Sequence, residues 1–347
     1  MPNFSIRRHL DVVRARSATV PGGRARAGRA AAAVAVVAAL LAACAPQPAP
    51  RDVAGDRLLV LTTFTVIADI AREVGGEHVY VESVTKVGAE IHGYEPTPDD
   101  LRRAADADII LENGLGLEAW FERFVAGLDV PTVTLSDGVE PLPIVESAGT
   151  EGESLPDDVA GSPNPHAWMS PEVGAQYART TAEALAEADP DNAADYRANA
   201  ERYADELLAI GDTLSEALEQ IPQEARVLVT CEGAFSYLAR DAGLDEVYLW
   251  PVNVDGQASP RRMEAAISAV RDREVPAVFC ESTVSADAQE QVAREAGSTF
   301  AGVLYVDSLS EPDGPVPTYK DLLTHDVDVI IAGLTGTPLP DAQEVGR

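Results

Sequence analysis

Between Pro190 and Pro222 the chain carries an uninterrupted helical signature, and this stretch limits its fold more than any other. Tyr196, Ala200, Tyr203, Leu207, Ile210, Leu214 and Leu218 recur at steps of three and four, the spacing that lines one face of an α-helix. Read as a helix from Asp191 to Gln220, the segment is a rod of roughly 45 Å at 1.5 Å per residue. On both sides of it, short apolar runs alternate with amphipathic segments. Upstream, strands are expected at Leu58–Thr63, Val79–Val84, Ile109–Leu111 and Thr132–Leu135. The intervening helices cover Thr65–Gly75, a stretch capped by Thr97-Pro98-Asp99-Asp100 and a segment near 117–126. Another helix runs from Ser170-Pro171-Glu172 to about Asp189. Downstream, strands at Arg226–Thr230, Glu246–Trp250, Ala277–Cys280 and Ala301–Tyr305 alternate with helices near 234–242, 260–273, 286–296 and 318–333. Such alternation builds parallel sheets covered by helices. The expected fold is therefore α/β, with two lobes that each hold a mostly parallel sheet flanked by helices, joined by one long rigid helix. The lobes are drawn at 58–189 and 222–347, with the linker helix at 190–221. Residues 136–165, with five prolines and many acids, break the pattern and are read as a long loop.

The first 44 residues read as an address. Seven arginines precede an apolar run from Ala30 to Leu41. Twelve residues are too few for a bilayer span, which needs ~20, and the arrangement matches a secretory signal at 1–43. It ends Leu41-Ala42-Ala43-Cys44, which is similar to the lipobox of bacterial lipoproteins, where Cys44 would receive the lipid; an ordinary signal with an incidental cysteine is the alternative. Residues 44–57, with Pro46, Pro48 and Pro50 near their start, read as a tether. The mature chain is expected outside the cell, lipid-anchored to the outer face of the cytoplasmic membrane.

Charge then narrows the partners. From Cys44 onward there are 19 basic and 56 acidic residues, a net of −37. A surface so negative repels phosphate backbones, so no nucleic-acid partner is expected. Histidine is scarce, and its placement is informative. His92 lies in Gly88-Ala89-Glu90-Ile91-His92-Gly93-Tyr94-Glu95-Pro96 and His166 in Asn164-Pro165-His166-Ala167-Trp168. Each precedes a helix, on the carboxyl edge of the sheet where ligands of α/β proteins gather. His78 and His325 are read as surface residues, His78 as a solvated turn. On the equivalent edge of the second lobe stand Glu232, Glu281 and Asp307, each just after a strand. Singly, such acids are caps or solvated groups; together, two imidazoles and two carboxylates make a plausible four-ligand metal site.

At these residues the chain resembles the metal-binding solute-binding lipoproteins of bacterial ABC importers for manganese, zinc and iron. The resemblance runs from about Leu58 to Leu334 and rests on motifs in order. They are His92-Gly93-Tyr94-Glu95-Pro96, Asn113-Gly114 with Glu118-Ala119-Trp120, and Asn164-Pro165-His166-Ala167-Trp168. Beyond the long helix come Glu232-Gly233-Ala234-Phe235, Trp250-Pro251-Val252-Asn253, Glu281-Ser282 and Leu304-Tyr305-Val306-Asp307-Ser308. By resemblance the ligands fall on His92, His166, Glu232 and Asp307, the linker helix is rigid, and an ABC permease in the membrane receives the ion. A monomer is expected. The chain departs from many relatives at Ala89-Glu90-Ile91, where they carry an Asp-Pro pair, and at Trp250-Pro251-Val252, which replaces a more acidic stretch.

Two carboxylates favour a harder ion. The resemblance points the same way: members with three histidines lean to zinc, those with two histidines and two acids to manganese or iron. The acidic loop 146–158 carries no histidine. Mn²⁺ is the expected cargo, with Zn²⁺ or Fe²⁺ the alternatives. The rival readings are an extracytoplasmic metalloenzyme, which would need an open coordination position, and a surface adhesin with a structural metal. Gly114-Leu115-Gly116 lacks the glycine pattern of a phosphate loop. Finally, Cys231 and Cys280 end strands placed side by side. Neighbouring strands bring Cα atoms to ~4.8 Å, within disulfide range, so a disulfide pinning the Glu232 loop is one reading and two buried thiols the other.

Overall fold

Leu58–Thr62, buried at every position after the first, forms strand β1. A strand apolar on both faces must be covered on both, and β1 lies inside a four-stranded parallel sheet of order β2-β1-β3-β4. Its partners are β2 (Val79–Ser83), β3 (Ile109–Glu112) and β4 (Thr132–Thr134). The computed structural model describes residues 53–147, 155, 159–252 and 258–339. The signal segment 1–43, Cys44, most of the tether and most of the acidic loop 146–158 lie outside the described residues. At the tether's end, Ala54 is buried and Arg57 stands over the Tyr80 ring.

Helix α1 (Thr65–Gly75) packs Val66, Ile67, Ile70, Ala71 and Val74 inward. Helix α2 (Pro98–Asp106) starts on a complete capping box between Thr97 and Asp100, with Pro98 in its first turn. Next come α3 (Ala119–Val125), a 3₁₀ turn at Ala167–Met169, and α4 (Pro171–Ala188), whose cap Ser170 accepts the Val173 N–H. The long helix is α5 (Ala193–Leu218), 26 residues or about 39 Å. It starts at Ala193, later than the expected Asp191, because Pro190–Asn192 closes into a 3₁₀ turn, with the Asp189 carboxylate accepting from Asn192 and Tyr196, and it ends at Leu218, before Gln220. Its buried stripe of Tyr196, Ala200, Tyr203, Leu207, Leu214 and Leu218 follows the expected face.

The C-terminal half contains β5 (Val227–Glu232), α6 (Ser236–Ala242), β6 (Asp245–Trp250), α7 (Pro260–Asp272), β7 (Ala277–Glu281), α8 (Asp287–Ala296), β8 (Thr299–Leu304) and α9 (Tyr319–Thr335). Its strands form two parallel ribbons, β5-β6 and β7-β8, and not one continuous ladder. Where β5 meets β7 the Glu232 N–H turns to the Glu281 carboxylate, at 3.2 and 3.3 Å, and not to a strand carbonyl. Cys231 and Cys280 are disulfide-bonded across that seam, with Cα atoms 4.9 Å apart.

Helix α5 packs against α4, α1 and α9, and so touches both halves. Val60 and Ile67 from the first half, Leu207 of α5, and Val229, Phe279 and Ile330 from the second belong to one continuous apolar core. Polar ties cross between the halves as well: Trp168 Nε1 donates to Val306 O (3.1 Å), Leu309 N to Thr65 Oγ1 (3.0 Å) and Tyr319 N to Asp69 (2.8 Å). Among the described residues no helix is long and apolar enough to cross a membrane.

Candidate metal centre

The two histidines come from loops at one edge of the first sheet. His92 lies between β2 and α2, where the Glu90 carboxylate accepts the backbone N–H groups of His92 (2.6 Å) and Gly93 (2.9 Å). Glu90 is therefore the local clamp of this turn. His166 opens the 3₁₀ turn before α4 and is fully buried. From the second half, Glu232 is the last residue of β5, and Asp307 stands three residues beyond β8; both are fully buried.

His92, His166 and Asp307 converge as one cluster of donors, and Glu232 stands beside the two imidazoles. The His92 and His166 Nε2 atoms lie 3.1 Å apart. Glu232 Oε1 is 3.9 Å from His92 Nε2 and 3.6 Å from His166 Nε2, while Asp307 Oδ1 is 3.8 and 3.9 Å from the same atoms. Donors at ~2.1 Å from one ion are separated by about 3.4 Å in a tetrahedron and about 3.0 Å at adjacent octahedral corners. The two imidazole nitrogens fall between those values, and the carboxylate oxygens stand a few tenths of an ångström beyond the tetrahedral one. Asp307 Oδ1 is buried and receives no hydrogen bond among the described residues, a state costly for a carboxylate unless a cation meets it. Three of the groups are fully buried, and the His92 side chain alone keeps some exposure, 12%.

Asn164 sets the protonation pattern of His166. Its Oδ1 accepts from the His166 backbone N–H (3.0 Å) and lies 2.9 Å from Nδ1, while its Nδ2 donates to Gly233 O (2.7 Å). That carbonyl can only accept, which fixes the amide orientation. Nδ1 must then carry the proton, leaving the Nε2 lone pair facing the other donors. Burial, then the neighbouring His92, holds the His166 pKa well below the usual histidine range, so the ring stays a neutral donor. Burial pushes the Asp307 carboxyl up, against the pull of His92. Glu281, pushed up to about 8 by burial, sits behind Glu232 and holds its backbone N–H. Thr283 Oγ1 reaches Asp307 Oδ2 at 3.5 Å.

The other sequence candidates fall elsewhere. His78 is not simply solvated: its ring is half-buried against Tyr196 and pairs with Asp195 of α5 at 3.1 Å, because the turn after α1 packs onto that helix. His325 lies on α9, hydrogen-bonded to Val303 O at 3.0 Å. Cys231 and Cys280 share the seam beneath Glu232, each one residue before an acid. Asn164, Glu90 and Thr283 carry roles that sequence reasoning did not assign. The one available signal was for Asn164, an amide two residues before a ligand candidate.

The family described as ZnuA, zinc-uptake complex component A periplasmic, matches residues 60–333 of the chain. The chain belongs to this family. It is 47% identical over 285 residues to the iron-binding protein YfeA of Yersinia pestis, covering 82% of this chain and 88% of that one. The manganese-binding lipoprotein MntA of Halalkalibacterium halodurans is 32% identical over 301 residues, 86% of this chain and 96% of its own. Among solved structures, the Mn-bound periplasmic metal binding protein from Candidatus Liberibacter asiaticus superposes with a TM-score of 0.72 at 36% identity, covering 80% of this chain and all of that one.

Proposed function

We propose that the chain is the metal-capturing component of an ABC importer: it takes a divalent transition metal outside the cytoplasmic membrane and hands it to a membrane permease. His92, His166, Glu232 and Asp307 hold the ion, two nitrogen and two oxygen donors drawn from both halves. The observation that carries the reading is the cluster of His92, His166 and Asp307 with Glu232 beside both imidazoles, His166 having its Nε2 lone pair aimed inward by Asn164. Two carboxylates neutralise a divalent charge, and their second oxygens extend the coordination to five or six, as Mn²⁺ accepts. Mn²⁺ is therefore the proposed cargo. Fe²⁺ is the second reading, favoured by the 47% identity to an iron-binding protein; Zn²⁺ binds the same donors tightly in vitro by the Irving–Williams order.

The chain is read as a binding protein and not an enzyme. Four protein donors occupy the positions that a catalytic metal would keep open for water. Cys44 carries the lipid anchor, residues 58–189 and 222–347 are the lobes, 190–221 is the linker, and a monomer suffices because one chain supplies every donor. Metal analysis of the protein purified from its own host, beside calorimetric titration with Mn²⁺, Fe²⁺ and Zn²⁺, tests the proposal. Stoichiometric manganese is the expected result. Stoichiometric zinc without manganese overturns the cargo assignment, and absence of binding to all three ions overturns the site.

A further inference from the structure

Two hydrogen bonds far from each other in sequence share a design. Trp120 Nε1 donates to the carbonyl of Ile91 at 3.0 Å, and Asn113 Nδ2 donates to the carbonyl of Pro165 at 3.0 Å. Ile91 and Pro165 are the residues immediately before His92 and His166. One eight-residue segment, Asn113–Trp120, thus holds both imidazole-bearing loops at the same point. We infer that this segment is a positioning module for the two nitrogen donors, with Trp120 and Asn113 as positioning residues that set the spacing of the His92 and His166 rings. The inference rests on reading those histidines as metal ligands.

The module is internally braced. The buried Glu118 carboxylate accepts from Asn113 N (2.7 Å), Gly114 N (3.0 Å) and Thr63 Oγ1 (2.8 Å). Between Asn113 and Glu118 the backbone passes through three successive left-handed residues, Gly114 (φ 84°), Leu115 (φ 56°) and Gly116 (φ 83°). Leucine takes that conformation only where its surroundings impose it, and a Cβ on Gly114 would meet Thr134 Cγ2 at 2.2 Å. Tyr177 Oη donates to Asn113 Oδ1 (2.7 Å), which turns the amide so that Nδ2 faces Pro165. The Trp120 ring also lies against Tyr94 at 5.0 Å, so the His92 loop is gripped on both sides of the histidine. Leu115 and Leu117 line the cleft onto which His92 opens, so the module also forms part of the wall beside the site.

A rigid piece touching both loops fixes the 3.1 Å separation of the two Nε2 atoms in a way that neither loop achieves alone. Groups that orient metal ligands typically change affinity by about 10–100-fold when removed. The test uses W120F, which keeps a ring on Tyr94 and deletes the donor, and N113A, each in the full chain. Mn²⁺ affinity is read by chelator competition, the electron paramagnetic resonance spectrum of bound Mn²⁺ reports donor geometry, and apo-protein melting reports the fold. The expected result is affinity weaker by about 10–100-fold with a changed Mn²⁺ spectrum in W120F, while its apo melting stays close to wild type. If N113A fails to fold, W120F alone decides. Wild-type affinity and an unchanged spectrum in a folded W120F overturn the inference while wild-type binding leaves the site reading intact. Wild-type protein that takes up no Mn²⁺, Fe²⁺ or Zn²⁺ overturns the site reading and the inference together.

Discussion

Replacing Asn164 by alanine is the sharpest probe of how the nitrogen donors are prepared. The side chain is buried and makes four contacts: it accepts from the His166 N–H and Nδ1, and donates to Gly233 O and, at 3.2 Å, to Ser236 Oγ. Ser236 keeps its 2.6 Å bond to Glu246 and loses little. The other three partners are orphaned in a region closed to water, each at about 1–3 kcal/mol. Partial filling of the vacated volume by a water reduces the sum, so a destabilisation of about 2–4 kcal/mol is expected for the apo protein. Metal affinity falls for a separate reason: freed of Asn164, His166 can place its proton on Nε2, and the ring can rotate. The loss is about 10–100-fold, or about 1.4–2.7 kcal/mol. Asn164→Asp separates the two effects, since a carboxylate still accepts from Nδ1 but no longer donates to Gly233 O. It should lose stability while retaining most of the affinity. Calorimetric Mn²⁺ titration and thermal melting of both variants supply the numbers. A folded Asn164→Ala protein with unchanged Mn²⁺ affinity refutes the tautomer argument.

Asp307→Ala should weaken metal binding more than any of the supporting substitutions while leaving the apo fold intact; unchanged affinity in titration removes Asp307 from the site. Burial pushes Glu118 and Glu246 from 4.5 up to about 7 each, so the folded protein retains protons that the unfolded chain releases. This contribution to stability is complete below pH 4.5 and is lost as pH rises through about 7; apo melting temperatures that fail to fall across that window contradict it. The Cys231–Cys280 bond spans 49 residues, a loop whose closure contributes about 4 kcal/mol in the chain-entropy model. Cys280→Ser should cost an amount of that order and weaken metal binding through the Glu232 and Glu281 seam. Two reactive thiols besides Cys44 in the oxidised, denatured protein would exclude the bond.

Much of the fold was legible because periodicity is local. The span Thr65–Gly75 follows from apolar spacing and a double glycine, and α2 from its capping box, without reference to any other part of the chain. Helix α5 contains its whole stripe but starts at Ala193 and not at Asp191, because the Pro190 turn, tied by Asp189, is decided by side-chain hydrogen bonds that spacing does not encode. The split between the β5-β6 and β7-β8 ribbons was hidden for a similar reason. At its carboxyl end the seam is met by the Glu281 carboxylate, which takes the Glu232 N–H, a side-chain contact that apolar spacing does not encode.

The metal-site candidates stood out because donor chemistry is rare. Four histidines beyond Cys44 leave few choices, and a carboxylate at a strand end is conspicuous once a partner is sought. The groups that aim those donors carry no such mark. Trp120 and Asn113 act on the carbonyls of Ile91 and Pro165, and every residue has a carbonyl, so half of each contact leaves no trace in the sequence. The same holds for Asn164, whose second hand rests on Gly233 O. Identity of the bound ion depends on donor spacing at the scale of tenths of an ångström. On the proposed reading, contacts to the carbonyls of Ile91, Pro165 and Gly233 place the imidazoles, so residue types point to a metal, whereas the features that would select among Mn²⁺, Fe²⁺ and Zn²⁺ lie in the three-dimensional arrangement.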